Sequence, residues 1–211
     1  MSGDAGRAET ELKAVVARPD ELAARLAACG AAPEFRGRMA DRRYDFPARA
    51  LEAGDQVLRV RSFTAAAGSA ARGPEVAWKG PTGRSGGYKQ REELEFTVGD
   101  AAAVEAVLGR LGFVVTDAID RCVVYYRMCG AVLRLEWYPR MDVLLEVEGP
   151  PAAIEAAVAA TGIPRSAFTA ERLVDFAARY AQRTGRSAAL NLAALGDAGV
   201  SGVAGWPDWA P

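Results

Sequence analysis

In five stretches of this chain, charged and apolar residues alternate with a period of two, the period of side chains on a β-strand. Glu9, Glu11 and Lys13 share one face, as do Arg59 and Arg61; Arg91, Glu93 and Glu95; Arg134 and Glu136; and Glu146 and Glu148. The residues between them include Leu12, Val60, Leu94, Leu135 and Val147. One such strand would simply turn its charges to water on the outside of a sheet. Here, however, glutamate tends to neighbour glutamate and arginine to neighbour arginine, where a solvated surface gains from mixed signs. Like charges side by side need a counter-charge between them. A metal ion supplies it for carboxylates, and a polyanion supplies it for guanidinium groups.

The order of elements predicts how these strands assemble. A strand over 9–18 leads into a helix opened by Pro19-Asp20 and closed at Gly30. Extended segments follow at 34–46, 56–64, 75–79 and 88–98, with a helix over 101–111. Strands at 113–127, 131–137 and 142–149 precede helices at 151–160 and 167–184. Most strands succeed one another through short turns, which favours antiparallel pairing over a doubly wound sheet. The expected fold class is α+β: a closed or nearly closed antiparallel barrel of about eight strands with flanking helices over 1–184, followed by a flexible Ala/Gly-rich tail at 185–211. The glycine-rich GPTGRSGG at 80–87 precedes a strand and reads as a turn, and no phosphate-loop motif occurs elsewhere.

Composition narrows the chemistry. The net charge is −1, so no global field draws the chain to nucleic acid or membrane, and anion binding must be local. The three cysteines lack CxxC spacing and read as core residues. There is no histidine, so any metal site is built from oxygen ligands, which favours magnesium or manganese. No apolar run approaches the roughly 20 residues of a membrane span. A cytoplasmic protein, monomer or homodimer, is expected.

The motifs themselves resemble the CYTH superfamily, the triphosphate tunnel metalloenzymes, which includes class IV adenylyl cyclases and thiamine triphosphatases. ETELK matches its ExExK signature, and DRRYDF, LRVR, WKGP, REELE, LGF, LEW and LEVEG follow in family order over about residues 9–184. The resemblance implies a tunnel that takes a triphosphate-containing small molecule such as ATP. Phosphate would be held by Lys13, Arg59, Arg61, Lys79, Arg91, Arg121 and Arg134, with Lys13, Lys79 and Arg121 closest to the chemistry. The metal would be held by Glu9, Glu11, Glu136, Glu146 and Glu148, with Glu93 and Glu95 as further acids. Trp78, next to Lys79, alternates onto the opposite face, leaving Tyr44 as the candidate nucleoside contact.

Two departures stand out. Glu136 replaces the family's aspartate, and Val123 stands where KxRxxY has its arginine, with Arg127 or Arg134 as the expected substitute. The pattern is closest to class IV adenylyl cyclases, which implies conversion of ATP to cyclic AMP and pyrophosphate. The alternatives are hydrolysis of inorganic triphosphate, thiamine triphosphate or nucleotide, and a non-catalytic triphosphate or nucleotide sensor.

Overall fold

The computed structural model describes residues 7–85, 88–198 and 206–211; the side chains of residues 7–9, 84, 85, 89, 197 and 198 lie outside the described set. The strands are β1 (Arg7–Val15), β2 (Pro33–Asp45), β3 (Val57–Ala65), β4 (Glu75–Lys79), β5 (Gly83–Ser85), β6 (Tyr88–Thr97), β7 (Val114–Met128), β8 (Ala131–Trp137) and β9 (Leu144–Glu148). The helices are α1 (Pro19–Ala28), the single turn α2 (Ala50–Ala53), α3 (Ala101–Arg110), α4 (Pro151–Thr161) and α5 (Leu173–Thr184). The sheet runs β1-β9-β8-β7-β2-β3-β4-β6, and a β1–β6 pairing closes it into an eight-stranded antiparallel barrel. Strand β1 makes the closure by dividing its length. Its first half pairs with β6 (Glu9 opposite Arg91) and its second half with β9 (Lys13 opposite Glu146).

The charged faces turn inward. Lys13, Arg61, Glu136 and Glu146 are all buried, Glu136 at 0 % exposure. The apolar partners of the same strands therefore lie on the outside, where helices cover them. Leu12, Leu133, Leu135 and Val147 pack beneath α1 and α4, joined by Leu22, Leu26, Ile154 and Val158. On the other flank, Val60 and Val76 lie beneath α3. Asp100 caps α3 by accepting from the Ala102 and Ala103 backbone N–H groups.

Some expectations shift by a few residues. The last helix begins at 173 instead of 167, because Thr169 exchanges two 2.8 Å backbone hydrogen bonds with Lys13 and holds the segment before it extended. The stretch expected as a turn at 80–87 contains β5, three residues paired with β6; residues 86 and 87 lie outside those described. Within 185–211, the described parts lie against the barrel. Ala189 exchanges backbone hydrogen bonds with Arg140, the Asp120 carboxylate accepts from the Leu192 N–H, and Trp209 sets its edge against Trp137 with ring centroids 5.6 Å apart. Arg36 and Arg38 lie over the Trp209 and Trp206 rings.

Trp209→Ala removes this outer packing and is expected to lower unfolding free energy by roughly 2 kcal/mol, less than a fully buried tryptophan would cost. Urea denaturation of the two proteins measures it, and equal midpoints would show that the terminal segment adds nothing to barrel stability.

Candidate functional site

Alternation places the long basic and acidic side chains of eight strands in one enclosed space, too narrow for each to reach water. They neutralise one another. Two cavities open from this space, one of about 310 Å³ and one of about 590 Å³, and Arg59 and Arg134 line both, which makes them the waist of a tunnel. The first, here the near end, holds Lys13, Lys79, Arg91 and Arg121 of the predicted phosphate set. The second, the far end, holds Arg61, Glu93, Glu95 and Glu148.

On the β7-β2-β3 wall, one carboxylate serves three guanidinium groups. Asp41 Oδ2 lies 3.1 Å from Arg121, 3.4 Å from Arg61 and 3.9 Å from Arg59. Burial would raise the Asp41 pKa, but Arg59, Arg61 and Arg121 outweigh it and hold the carboxyl well below the usual range. Carboxylates of neighbouring strands complete the pairing, with Glu93 3.0 Å from Arg59, Glu95 3.4 Å from Arg61 and Glu136 3.4 Å from Arg121. The Nε donors of Arg59 and Arg121 are buried without a hydrogen-bond partner.

The β1-β9-β8 wall, which adjoins it through the β7–β8 pairing, is mixed. The Lys13 ammonium bridges Glu11 at 2.8 Å and Glu146 at 2.9 Å. Burial would lower its pKa, yet the two glutamates raise it above the ordinary value. Arg134 joins Glu146 to Glu136, its Nε donating to Glu136 at 2.5 Å. Arg121 reaches Glu136 at 3.4 Å, and the Tyr138 hydroxyl donates to that carboxylate as well.

The predicted residues therefore divide into groups. Lys79 lies 3.1 Å from Glu93, and Arg59 3.0 Å from the same carboxylate. Arg91 donates to the carbonyls of Gly80 and Asp55, so it ties two rim loops together. Of the predicted metal ligands, Glu11 and Glu146 converge on one positive charge, Glu136 is held by Arg134, Arg121 and Tyr138, and Glu148 lines the far end. The side chain of Glu9 lies outside the described set. Among the described residues, no three carboxylates or cysteines gather where they could share a metal. The Glu11–Glu146 pair nevertheless fits a hard cation in kind, with oxygen donors alone around a single positive charge.

Tyr44 needs correcting. It packs with Val60 and Val76 on the outer face beneath α3, and burial together with Glu105 pushes its hydroxyl pKa up to about 12. A register shift between Arg43 and Tyr44 accompanies that placement. Of the expected substitutes for an arginine at 123, Arg134 is inside the tunnel, whereas Arg127 sits on the far rim, 61 % exposed and paired with Glu34. Val123 itself is fully buried in an apolar plug with Phe35, Met39 and Tyr125. The residues missed from sequence include Asp41 and Arg43, which both line the near end. Their spacing of two was the available signal.

Fold and site together define a β-tunnel protein whose interior is a continuous ionic network. The CYTH domain model matches residues 7–137, more than half of the 211 residues, and the chain belongs to the CYTH domain family. Solved structures share the fold. A candidate adenylate cyclase from Vibrio parahaemolyticus superposes with a TM-score of 0.69 at 14% identity, covering 81% of this chain and 98% of that one. A candidate adenylyl cyclase from Hippeastrum, with a dominant triphosphatase activity, gives 0.59 at 18% identity over 87% and 98% of the two chains. A Pyrococcus horikoshii protein gives 0.62 at 20% identity over 84% and 99%. No curated protein matches the chain. Among the described residues, no helix is long and apolar enough to cross a membrane.

Asp41→Asn leaves three arginines without their shared carboxylate and is expected to cost about 3 kcal/mol at pH 7. Because the folded-state pKa of Asp41 is depressed, its contribution is present above the unfolded value of about 3.9 and is lost as pH falls below it. Glu146, also depressed, adds to the same acid loss. Urea titrations from about pH 5 to pH 2 should show a shallower decline for Asp41→Asn than for wild type. Equal slopes would remove Asp41 from the account.

Proposed function

We propose that this protein is a metal-dependent enzyme that binds the triphosphate group of a small molecule across the tunnel and cleaves it by hydrolysis. The CYTH family is one of metal-dependent tunnel enzymes. The supporting observation is the convergence on the β7-β2-β3 wall: three guanidinium groups meet at one carboxylate oxygen, and buried Nε donors lack partners. Oxyanions of a polyphosphate would suit both, since guanidinium forks match phosphate oxygens.

The roles divide by wall. Arg59 and Arg61 of β3, Arg121 of β7 and Lys79 of the adjoining β4 would take phosphate oxygens together, and Lys13 would take them from β1. Glu11 and Glu146 would hold magnesium or manganese, which when bound supplies neutralisation of the developing charge. Water attacks the terminal phosphorus and the bond to the bridging oxygen breaks, giving orthophosphate and the shortened chain; the tunnel residues position the groups and stabilise charge. Glu136, tied by Arg134, Arg121 and Tyr138, would keep the basic side chains oriented.

Cyclisation of ATP is the second reading, carried by DRRYDF and WKGP. It needs a platform for the base, and the near end offers one aromatic ring among its described lining residues, Tyr138, whose hydroxyl is engaged with Glu136 and Arg121. The Hippeastrum protein, a cyclase candidate with dominant triphosphatase activity, shows that this fold accommodates hydrolysis.

Incubation with tripolyphosphate, thiamine triphosphate or ATP, each with magnesium or manganese, is expected to release orthophosphate, with chelation abolishing turnover. Lys13→Ala and Arg121→Ala should each lower kcat/KM by roughly 100-fold or more. Cyclic AMP and pyrophosphate as the main products would replace hydrolysis with the second reading, and absence of both binding and turnover would reject the proposal.

A further inference from the structure

Arg43 lines the near end of the tunnel on β2, directly opposite Arg59 on β3 and Asp117 on β7. It is largely buried, and its Nε is buried without a partner. Among the described residues, its side chain forms no hydrogen bond or ion pair. Asp117, the acid best placed to pair with it, is half-exposed and lies 3.9 Å from Arg49. Asp41, two residues away on the same face, directs Oδ2 to Arg59, Arg61 and Arg121. Burial, followed by repulsion from Arg59 and Arg121, sets the Arg43 pKa below its ordinary value even though Asp41 and Asp117 oppose the shift.

The other tunnel arginines are differently placed. Arg134 is committed to Glu136 and Glu146, Arg91 to two rim carbonyls, and Arg61 lies between Asp41 and Glu95. Burying a charge without a partner is strongly unfavourable, and a neutral side chain of the same length would relieve it.

We infer that Arg43 is an anion-binding residue of the tunnel, gripping an oxyanion of the ligand's phosphate chain at the near end. The inference rests on the triphosphate reading and adds a residue and a location to it: the chain of phosphates reaches past the Asp41 cluster toward the near end. Arg59, across the strand pair, and Arg121, on the neighbouring strand, would flank the same anion.

The test uses Arg43→Met, which keeps length and removes charge, and Arg43→Lys, which keeps charge and removes the fork. Tripolyphosphate binding is measured by calorimetry, and melting temperature is measured without ligand. Arg43→Met should weaken tripolyphosphate binding about 10- to 100-fold, with Arg43→Lys intermediate. Its ligand-free melting temperature should equal or exceed wild type, since no protein contact is lost. If wild type binds tripolyphosphate and Arg43→Met binds equally well, the inference falls while the proposed function stands. A ligand-free melting temperature several degrees below wild type would assign Arg43 a structural role and overturn it too. If wild type itself fails to bind tripolyphosphate, the triphosphate reading fails first and the inference with it.

Discussion

The ion cluster around Asp41 sets the terms for the rest of the molecule, because closing the sheet through β1 and β6 shields its inner face from bulk water except at the two tunnel ends. In a closed barrel of this width, an apolar interior would be the usual solution. This chain instead places Arg59, Arg61, Arg121, Arg134, Lys13 and Lys79 inside, together with nearly enough carboxylates to neutralise them. Each buried charge is tolerable only while its partners hold position. The inside-out pattern then dictates the exterior: Leu12, Leu133, Leu135 and Val147 need cover, and α1 and α4 exist to provide it.

Much of this was readable from period-two alternation. The inward faces of β1, β3, β8 and β9 carry the expected charges, and the antiparallel closed barrel follows from strand order and short connections. What alternation could not reveal was which charges satisfy each other, since that depends on register across the barrel. Arg91 shares a face with Glu93 and Glu95 on β6, yet its donors are used by the Gly80 and Asp55 carbonyls, two loops distant in sequence. Tyr44 escaped for a local reason. The shift in β2–β7 register beside it goes with a ring that lies beneath α3. Arg43 escaped because DRRYDF reads as a block of charge unless Asp41 and Arg43 are separated from Arg42, which pairs outside the tunnel with Asp120 at 2.7 Å.

The two departures from family pattern gain a shared physical meaning. Val123 completes a plug in which the Phe35 ring meets Phe63 and Tyr125 edge-on, at 5.5 and 6.1 Å between centroids. Glu136 is the cross-strand neighbour of Val123, so valine there leaves that carboxylate to Arg134, Arg121 and Tyr138. Glu136, one methylene longer than an aspartate, uses its extra reach on a network: Arg134 at 2.5 Å, Arg121 at 3.4 Å and the Tyr138 hydroxyl. Network membership competes with metal ligation, since each carboxylate lone pair given to a guanidinium is withdrawn from a cation.

That competition also explains how an ionic tunnel can be stable and still receptive. Lys13 occupies the point where Glu11 and Glu146 converge, so the carboxylates are neutralised by the protein's own cation. Under the proposed function, Glu11 and Glu146 would hold a divalent ion and Lys13 would turn from them to phosphate oxygens. On the adjoining β7-β2-β3 wall, the Nε donors of Arg43, Arg59 and Arg121 have no partner to give up, so under the proposed function an anion there would add hydrogen bonds at those atoms without breaking any.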